Sequence, residues 1–156
     1  MKARIDSPAL TLPGALDALT ALSKTAAEHG ELPRQLVELI NLRVSQINGC
    51  AVCLDMHSRA LRKLGEPDER IYAVAAWREA PYYSEAERAA LALSEAATRL
   101  ADCPNPVPDD VWNEAARHYS PQALASLVMT IGLINLWNRL NCSIKQPSGP
   151  WTARYA

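Results

Sequence analysis

Two cysteines three residues apart, with a histidine four past the second, form the most reactive cluster of this sequence: Cys50-Ala51-Val52-Cys53-Leu54-Asp55-Met56-His57. In a helix, Cα atoms three residues apart lie roughly 5 Å from each other, inside the ~4.4–6.8 Å window that a disulfide accepts. Such a pair can open and close reversibly by thiol-disulfide exchange. Asn48-Gly49 marks a turn just before it, so the cysteines are expected where a helix begins. Free backbone donors and the positive dipole end stabilise a thiolate there. His57 shares a helix face with both cysteines, and an imidazole so placed can take a proton from a thiol and return it to a leaving group.

The base needs an orienting partner, and Glu38 is the candidate. If the helices before and after Gly49 form an antiparallel hairpin, Glu38 falls within about one helical turn, ~5 Å, of the level of His57. It stands between Val37 and Leu39 in an apolar helix, where an uncompensated carboxylate is costly to bury. It must reach solvent or find a partner. Plainer readings exist for each residue: a C-x-x-C pair is also a metal half-site, and helix glutamates and histidines are often only structural. Cys50, Cys53 and His57 could supply three zinc ligands, with Glu38 or water as a fourth. A redox sensor whose disulfide alters assembly without turnover is a further alternative. Between the thiols, the helix end favours Cys50 as the thiolate, and the four-residue spacing to His57 favours Cys53.

The elements that must position these groups all read as helices. Apolar residues recur at three and four between prolines and glycines, and no segment alternates as a strand. Helices are expected from Pro13 to a stop at His29-Gly30, from Pro33 to Asn48-Gly49, from Cys50 to Leu64 and from Pro67 to Trp77. Ser84 and Glu87 have capping-box spacing, opening a helix to about Leu100. Residues 102–108 hold three prolines and read as a stiff connection. Asp109 to His118 and Pro121 to Leu140 complete the set. The second of these is apolar enough around Leu127 to Leu136 to be either the central helix or an oligomer contact. The tail from Lys145 should be irregular, with Trp151 able to pin it. The fold class is all-α, a bundle of about six to seven helices in one domain, 1–156.

Composition narrows the partners. The 156 residues are 49% hydrophobic, enough for a continuous core, and carry 16 basic against 17 acidic residues. No basic surface suggests a nucleic acid or membrane partner. No apolar run approaches the ~20 residues of a membrane span, and no h-region opens the chain, so a cytoplasmic location is expected. In that compartment four cysteines are more plausibly catalytic, metal-binding or packing residues than a structural disulfide framework. Cys103, in the stiff connection, and Cys142, read as lying just past the last long helix, have no cysteine nearby in sequence. His29 and His118 fit helix C-terminal caps. Tyr82 and Tyr83 read as a surface turn packed by one ring, with a pocket role as the alternative. Arg59, Arg62 and Lys63 read as a solvated face.

The run from Glu38 to His57, E-L-I-N-L-R-V-S-Q-I-N-G-C-A-V-C-L-D-M-H, resembles the signature of the alkylhydroperoxidase AhpD and carboxymuconolactone decarboxylase superfamily. The likeness is strongest over about 32–100, including W-R-E-A-P-Y-Y-S at Trp77 to Ser84, and it weakens toward W-N-R-L-N at Trp137 to Asn141. It implies an AhpD-like helical bundle that assembles as a trimer or hexamer. It also implies a thiol peroxidase reducing alkyl hydroperoxides or hydrogen peroxide with no cofactor. By that resemblance Cys53 attacks the peroxide, Cys50 resolves the sulfenic acid, Glu38 and His57 relay protons, and a lipoyl-type or thioredoxin-like dithiol reopens the disulfide. The family's best-known peroxidase has a histidine directly before the second cysteine, where this chain has Val52. Members that decarboxylate lactones generally lack the cysteine pair.

Overall fold

Gly49, at φ 67° and ψ 31°, ends one helix in the left-handed region and lets the next begin two residues later. In the computed structural model, which describes residues 2–156 and only the backbone of Asp102, this hairpin is α3 (Arg34–Asn48) and α4 (Ala51–Lys63). Ahead of it run α1 (Pro8–Thr11) and α2 (Ala15–His29); after it come α5 (Asp68–Ala73), α6 (Glu85–Thr98), α7 (Asp109–His118) and α8 (Pro121–Ser143). Short 3-10 turns occupy Val74–Ala76, Leu100–Asp102 and Pro150–Tyr155. Among the described residues there is no strand, so the all-α expectation holds. Short pieces raise the number of helices above the expected six to seven, because α1 and α5 span barely one turn and a turn and a half.

The central helix is α3, not α8. Leu36, Ile40 and Val44 face a core shared with α4, α6 and α8, while Leu39 and Leu42 face a second core against Leu61, Ile71, Val74 and Trp77. A helix apolar on two faces has neighbours on both. By length and hydropathy alone, the 23-residue α8 could cross a membrane, contrary to the sequence expectation. Instead it packs against α2, α3, α6 and α7 and buries Asn135 and Asn138. It also leaves Val128, Met129 and Leu136 exposed on its outer side.

Several local expectations find different physical grounds. Gly30 has φ −92°, so it is not a left-handed cap. It is required for space, since a Cβ there would lie 1.9 Å from Ser126 Oγ on α8. The Ser84–Glu87 capping box forms as expected. Cys142 lies inside α8 rather than beyond it, because the helix continues past Leu140. The tail is pinned not only by Trp151 against the core but by the fully buried Thr152, whose hydroxyl donates to Asp55 on α4. Tyr83 is buried and bonds the Arg70 carbonyl, while Tyr82 points outward, so the turn is packed by one ring.

The most buried charge is Glu95 on α6. Arg43 Nη2 and Nε lie 2.6 and 2.7 Å from its Oε1, Trp77 Nε1 donates to it at 3.0 Å, and Arg78 Nη1 holds Oε2 at 2.6 Å. Burial alone would raise this carboxyl, but the donors from Arg78, Trp77 and Arg43 outweigh it and hold the group below its ordinary 4.5. A depressed carboxyl contributes stability that is complete above pH 4.5 and lost as pH falls through the folded-state value. Removing one partner of a buried pair strands the other charge at a cost of about 3 kcal/mol, so Glu95→Gln is expected to unfold at markedly lower urea. Urea melts between pH 7 and 3 should show wild type losing stability below pH 4.5 more steeply than Glu95→Gln; parallel curves would refute this account.

Candidate active site

Cys50 is the N-cap of α4 rather than its first residue, in extended backbone at φ −85° and ψ 97°. N-caps are usually Ser, Thr, Asp or Asn, whose side-chain oxygen accepts a free amide of the first turn. Here a sulfur does so: the Cys53 amide donates to Cys50 Sγ at 3.4 Å. The same geometry sets the two sulfurs 2.8 Å apart, within roughly 0.8 Å of bonding distance. Both thiols are buried, at 1% and 3% exposure.

The pair is electrostatically polarised. Cys53 is held below its ordinary 9.0, first by the hydrogen bond from Cys50 and then, against burial, by those from Asn141 and Asn138. Asn141 Nδ2 is 3.5 Å from Cys53 Sγ. Cys50 is pushed strongly upward, first by donating its proton to Cys53, then by burial and the Cys53 charge. The two shifts run in opposite directions, so Cys53 is the more acidic thiol of the pair. The helix end favoured Cys50 from sequence, but the amide it receives is outweighed by the neighbouring sulfur.

His57, one turn further along α4, meets Glu38 of α3 directly: Nδ1 is 2.7 Å from Glu38 Oε2, and both side chains are about 15% exposed. The glutamate therefore has an interior partner, and the hairpin brings the two closer than a one-turn offset suggests. With Nδ1 engaged, Nε2 is the ring nitrogen available for proton exchange. Val52, Cys53, Met56 and His57 line a cavity of about 1320 Å³, closed on other sides by Leu133, Ile134 and Trp137 of α8, Leu16 and Thr20 of α2, and Trp151 and Tyr155 of the tail. Of the two thiols only Cys53 lines it. The arrangement sets an acidified thiol, an imidazole and a largely apolar approach on one wall.

The three-ligand zinc arrangement finds no support in this geometry. Among the described residues no three His, Cys, Asp or Glu side chains converge as a metal site, and His57 is turned to Glu38. Cys103, Tyr82 and Tyr83 stand away from the site. Arg59 and Arg62 pair with Asp55 and Asp68 on the surface. Sequence reasoning overlooked α8. Asn138 and Asn141 reach Cys53, and the Cys142 thiol contacts Cys50 while bonding the Asn48 carbonyl at 3.7 Å. Asn48 Nδ2 donates to Asn135 and Asn138, both at 2.9 Å, fixing α8 against the end of α3. The signal was present: Asn135, Asn138, Asn141 and Cys142 recur at three and four in an otherwise apolar helix.

Comparison with known proteins agrees with this architecture. The carboxymuconolactone decarboxylase family profile matches residues 13–96. The uncharacterised protein YdfG of Bacillus subtilis is 42% identical over 117 residues, covering 75% of this chain and 78% of that protein. A crystal structure from Agrobacterium tumefaciens, of a protein of unknown function assigned by name to antioxidant defence as AhpD, superposes with TM-score 0.87 at 35% identity. It covers 95% of this chain and 99% of that one. The debrominase Bmp8 superposes with TM-score 0.79 at 25% identity, over 91% of this chain and 74% of its own. A helix hairpin carrying Glu38, Cys50, Cys53 and His57 in an all-helical bundle, together with these matches, makes the chain a member of the carboxymuconolactone decarboxylase family, within the superfamily that includes AhpD.

Proposed function

We propose that this family member is a thiol peroxidase, reducing alkyl hydroperoxides or hydrogen peroxide through a Cys50–Cys53 disulfide cycle. The observation that carries the reading is the polarised thiol pair: Cys53, the lowered thiol, is the one that lines the cavity beside His57. In the proposed cycle Cys53 Sγ attacks the distal peroxide oxygen, the O–O bond breaks, and the alkoxide leaves with a proton from His57. Cys50 Sγ then attacks the Cys53 sulfenic acid, releasing water as the disulfide closes. Glu38 is a positioning residue, holding His57 by Nδ1. A dithiol, lipoyl-type or thioredoxin-like, returns two electrons and reopens the disulfide. We place this activity in the cytoplasm of a homo-oligomer, a trimer or hexamer; the exposed Val128, Met129 and Leu136 stripe on α8 favours a subunit contact there.

A second reading draws on the likeness to the debrominase Bmp8: the wide apolar cavity beside Cys53 suits a halogenated ring as well as a hydroperoxide. Thiol counts separate the two. Reduced, metal-free wild type is expected to lose two of its four thiols to one equivalent of cumene hydroperoxide. Cys53→Ser should lose none, and Cys50→Ser should accumulate a sulfenic acid trappable by dimedone. Survival of both thiols in wild type, with bromide release from a brominated pyrrole, would replace the peroxidase by the debrominase. Survival with neither reaction would defeat both and turn attention to bound metal in the protein as purified. Oxidation without steady-state peroxide consumption would mark a sensor.

Because Cys53 is held below 9.0, its thiolate persists as pH falls below that value. Alkylation by iodoacetamide, followed at Cys53 by mass spectrometry, is expected to have its half-point below pH 9.0, and Cys50→Ala, lacking the main donor, should move it upward. An unmoved half-point would deny Cys50 that role. His57→Asn and Glu38→Gln should each lower kcat for peroxide turnover, the histidine by about 10²-fold and the glutamate by less. Equal rates in all three proteins would remove the proton relay.

A further inference from the structure

We propose that Cys142 is a third redox cysteine, which takes over the disulfide by exchange with Cys50 and presents it at the surface to a protein dithiol. This rests on the Cys50–Cys53 disulfide cycle proposed above, and it assigns the exit by which that cycle is reset.

The two motif thiols are 1% and 3% exposed, so the active-site sulfur of another protein cannot reach a disulfide between them without opening the core. The cavity beside Cys53 has a largely apolar lining and reaches Cys53 but not Cys50, a route for a small molecule. Cys142 does not line that cavity. It lies exposed on the last turn of α8, with its thiol beside Cys50 and 3.7 Å from the carbonyl of Asn48, two residues before Cys50. Cys53 thus faces the cavity and Cys142 faces solvent outside it, with the buried Cys50 next to both, so the two reactants have separate doors.

The exchange is redox-neutral. Cys142 Sγ, its proton released to solvent, attacks Cys50 Sγ; the Cys50–Cys142 bond forms, the Cys50–Cys53 bond breaks, and the electron pair leaves on Cys53 Sγ. That leaving group is the sulfur with hydrogen bonds from Asn141 and Asn138. Burial is the first cause that keeps the Cys142 thiol up. The protein dithiol then attacks Cys142 Sγ, Cys50 leaves and takes a proton, and the partner's second thiol closes its own disulfide and frees Cys142. Two electrons pass from the dithiol to the chain.

The test uses full-length protein with Cys103→Ser, so that one other exposed thiol is silent, oxidised by diamide rather than peroxide. Loading the disulfide this way leaves the relay readable even if the peroxidase reading fails. Acid-quenched digests are expected to contain a Cys50–Cys142 linked peptide beside the Cys50–Cys53 one. A thioredoxin with its resolving cysteine replaced by serine should be trapped covalently on Cys142. Adding Cys142→Ser should slow reduction by intact thioredoxin at least about tenfold while leaving reduction by dithiothreitol, small enough for the cavity, within about twofold. The dithiothreitol rate doubles as the control for folding, which a merely structural effect would disturb equally. Thioredoxin reducing the Cys142→Ser protein at the unaltered rate, or trapped on Cys50 or Cys53, would overturn the relay, as would failure of diamide to form any Cys50–Cys53 disulfide.

Discussion

Gly49 turns the chain within one left-handed residue, and the distances in the site follow from that turn. A residue with a Cβ pays for φ 67° in steric strain, and a longer loop would let the two helices slide. With the turn this tight, the N-cap of α4 must be residue 50, and a cysteine there lays its sulfur on the amide of residue 53. The close approach of the two sulfurs accompanies that capping contact, and it is this approach, not the capping amide, that sets the two thiols apart. The same hairpin carries Glu38 back alongside His57, so the imidazole is oriented by the element that orients the thiols.

A hairpin alone would leave the thiols half in water. What encloses them is α8, and it does so with polar as well as apolar side chains. Asn135 and Asn138 take the two hydrogens of the Asn48 amide, Asn138 also bonds Ser45, and Asn135 reaches Thr98 on α6. Buried amides need partners, so each of these bonds penalises a slide of α8 along α3. An apolar interface would tolerate such a slide more cheaply. The register so chosen places Asn141 on Cys53 and Cys142 on Cys50. The residues that fix the packing of α8 are thus neighbours of those that touch the thiols.

The opposite flank of α3 is held differently. Arg43 reaches Glu95, to which Trp77 and Arg78 also donate, so a buried carboxylate closes the second core without touching the thiols. Arg70 does similar work between Glu66 and Glu87, the latter also completing the cap of α6. Keeping the charged networks on that side leaves few ionisable side chains around the cavity beside Cys53, His57, Lys2 and Asp6 among them, with the sulfur itself buried. In such surroundings electrostatic interactions are little screened, which strengthens the effect of each donor on the thiolate.

Helix positions were legible in the sequence because prolines, glycines and a capping box punctuate a plain three-and-four apolar period. The grouping of Glu38, Cys50, Cys53 and His57 was legible too, since one tight hairpin relates all four and both helix geometry and turn chemistry are local. Three things were not. Which thiol is the more acidic depends on a sulfur–sulfur contact and on donors from a helix about ninety residues away. Gly30 read as a helix stop, yet its lack of a side chain serves a contact with Ser126. Cys142 read as an isolated residue, because sequence distance hides that α8 ends beside Cys50. Local rules of propensity, capping and spacing act within a few residues, so the elements and their reactive side chains could be read along the chain. Which thiol is the more acidic, what shields it and which third sulfur stands beside it came only with packing, because burial and long-range hydrogen bonds exist only once the helices have met.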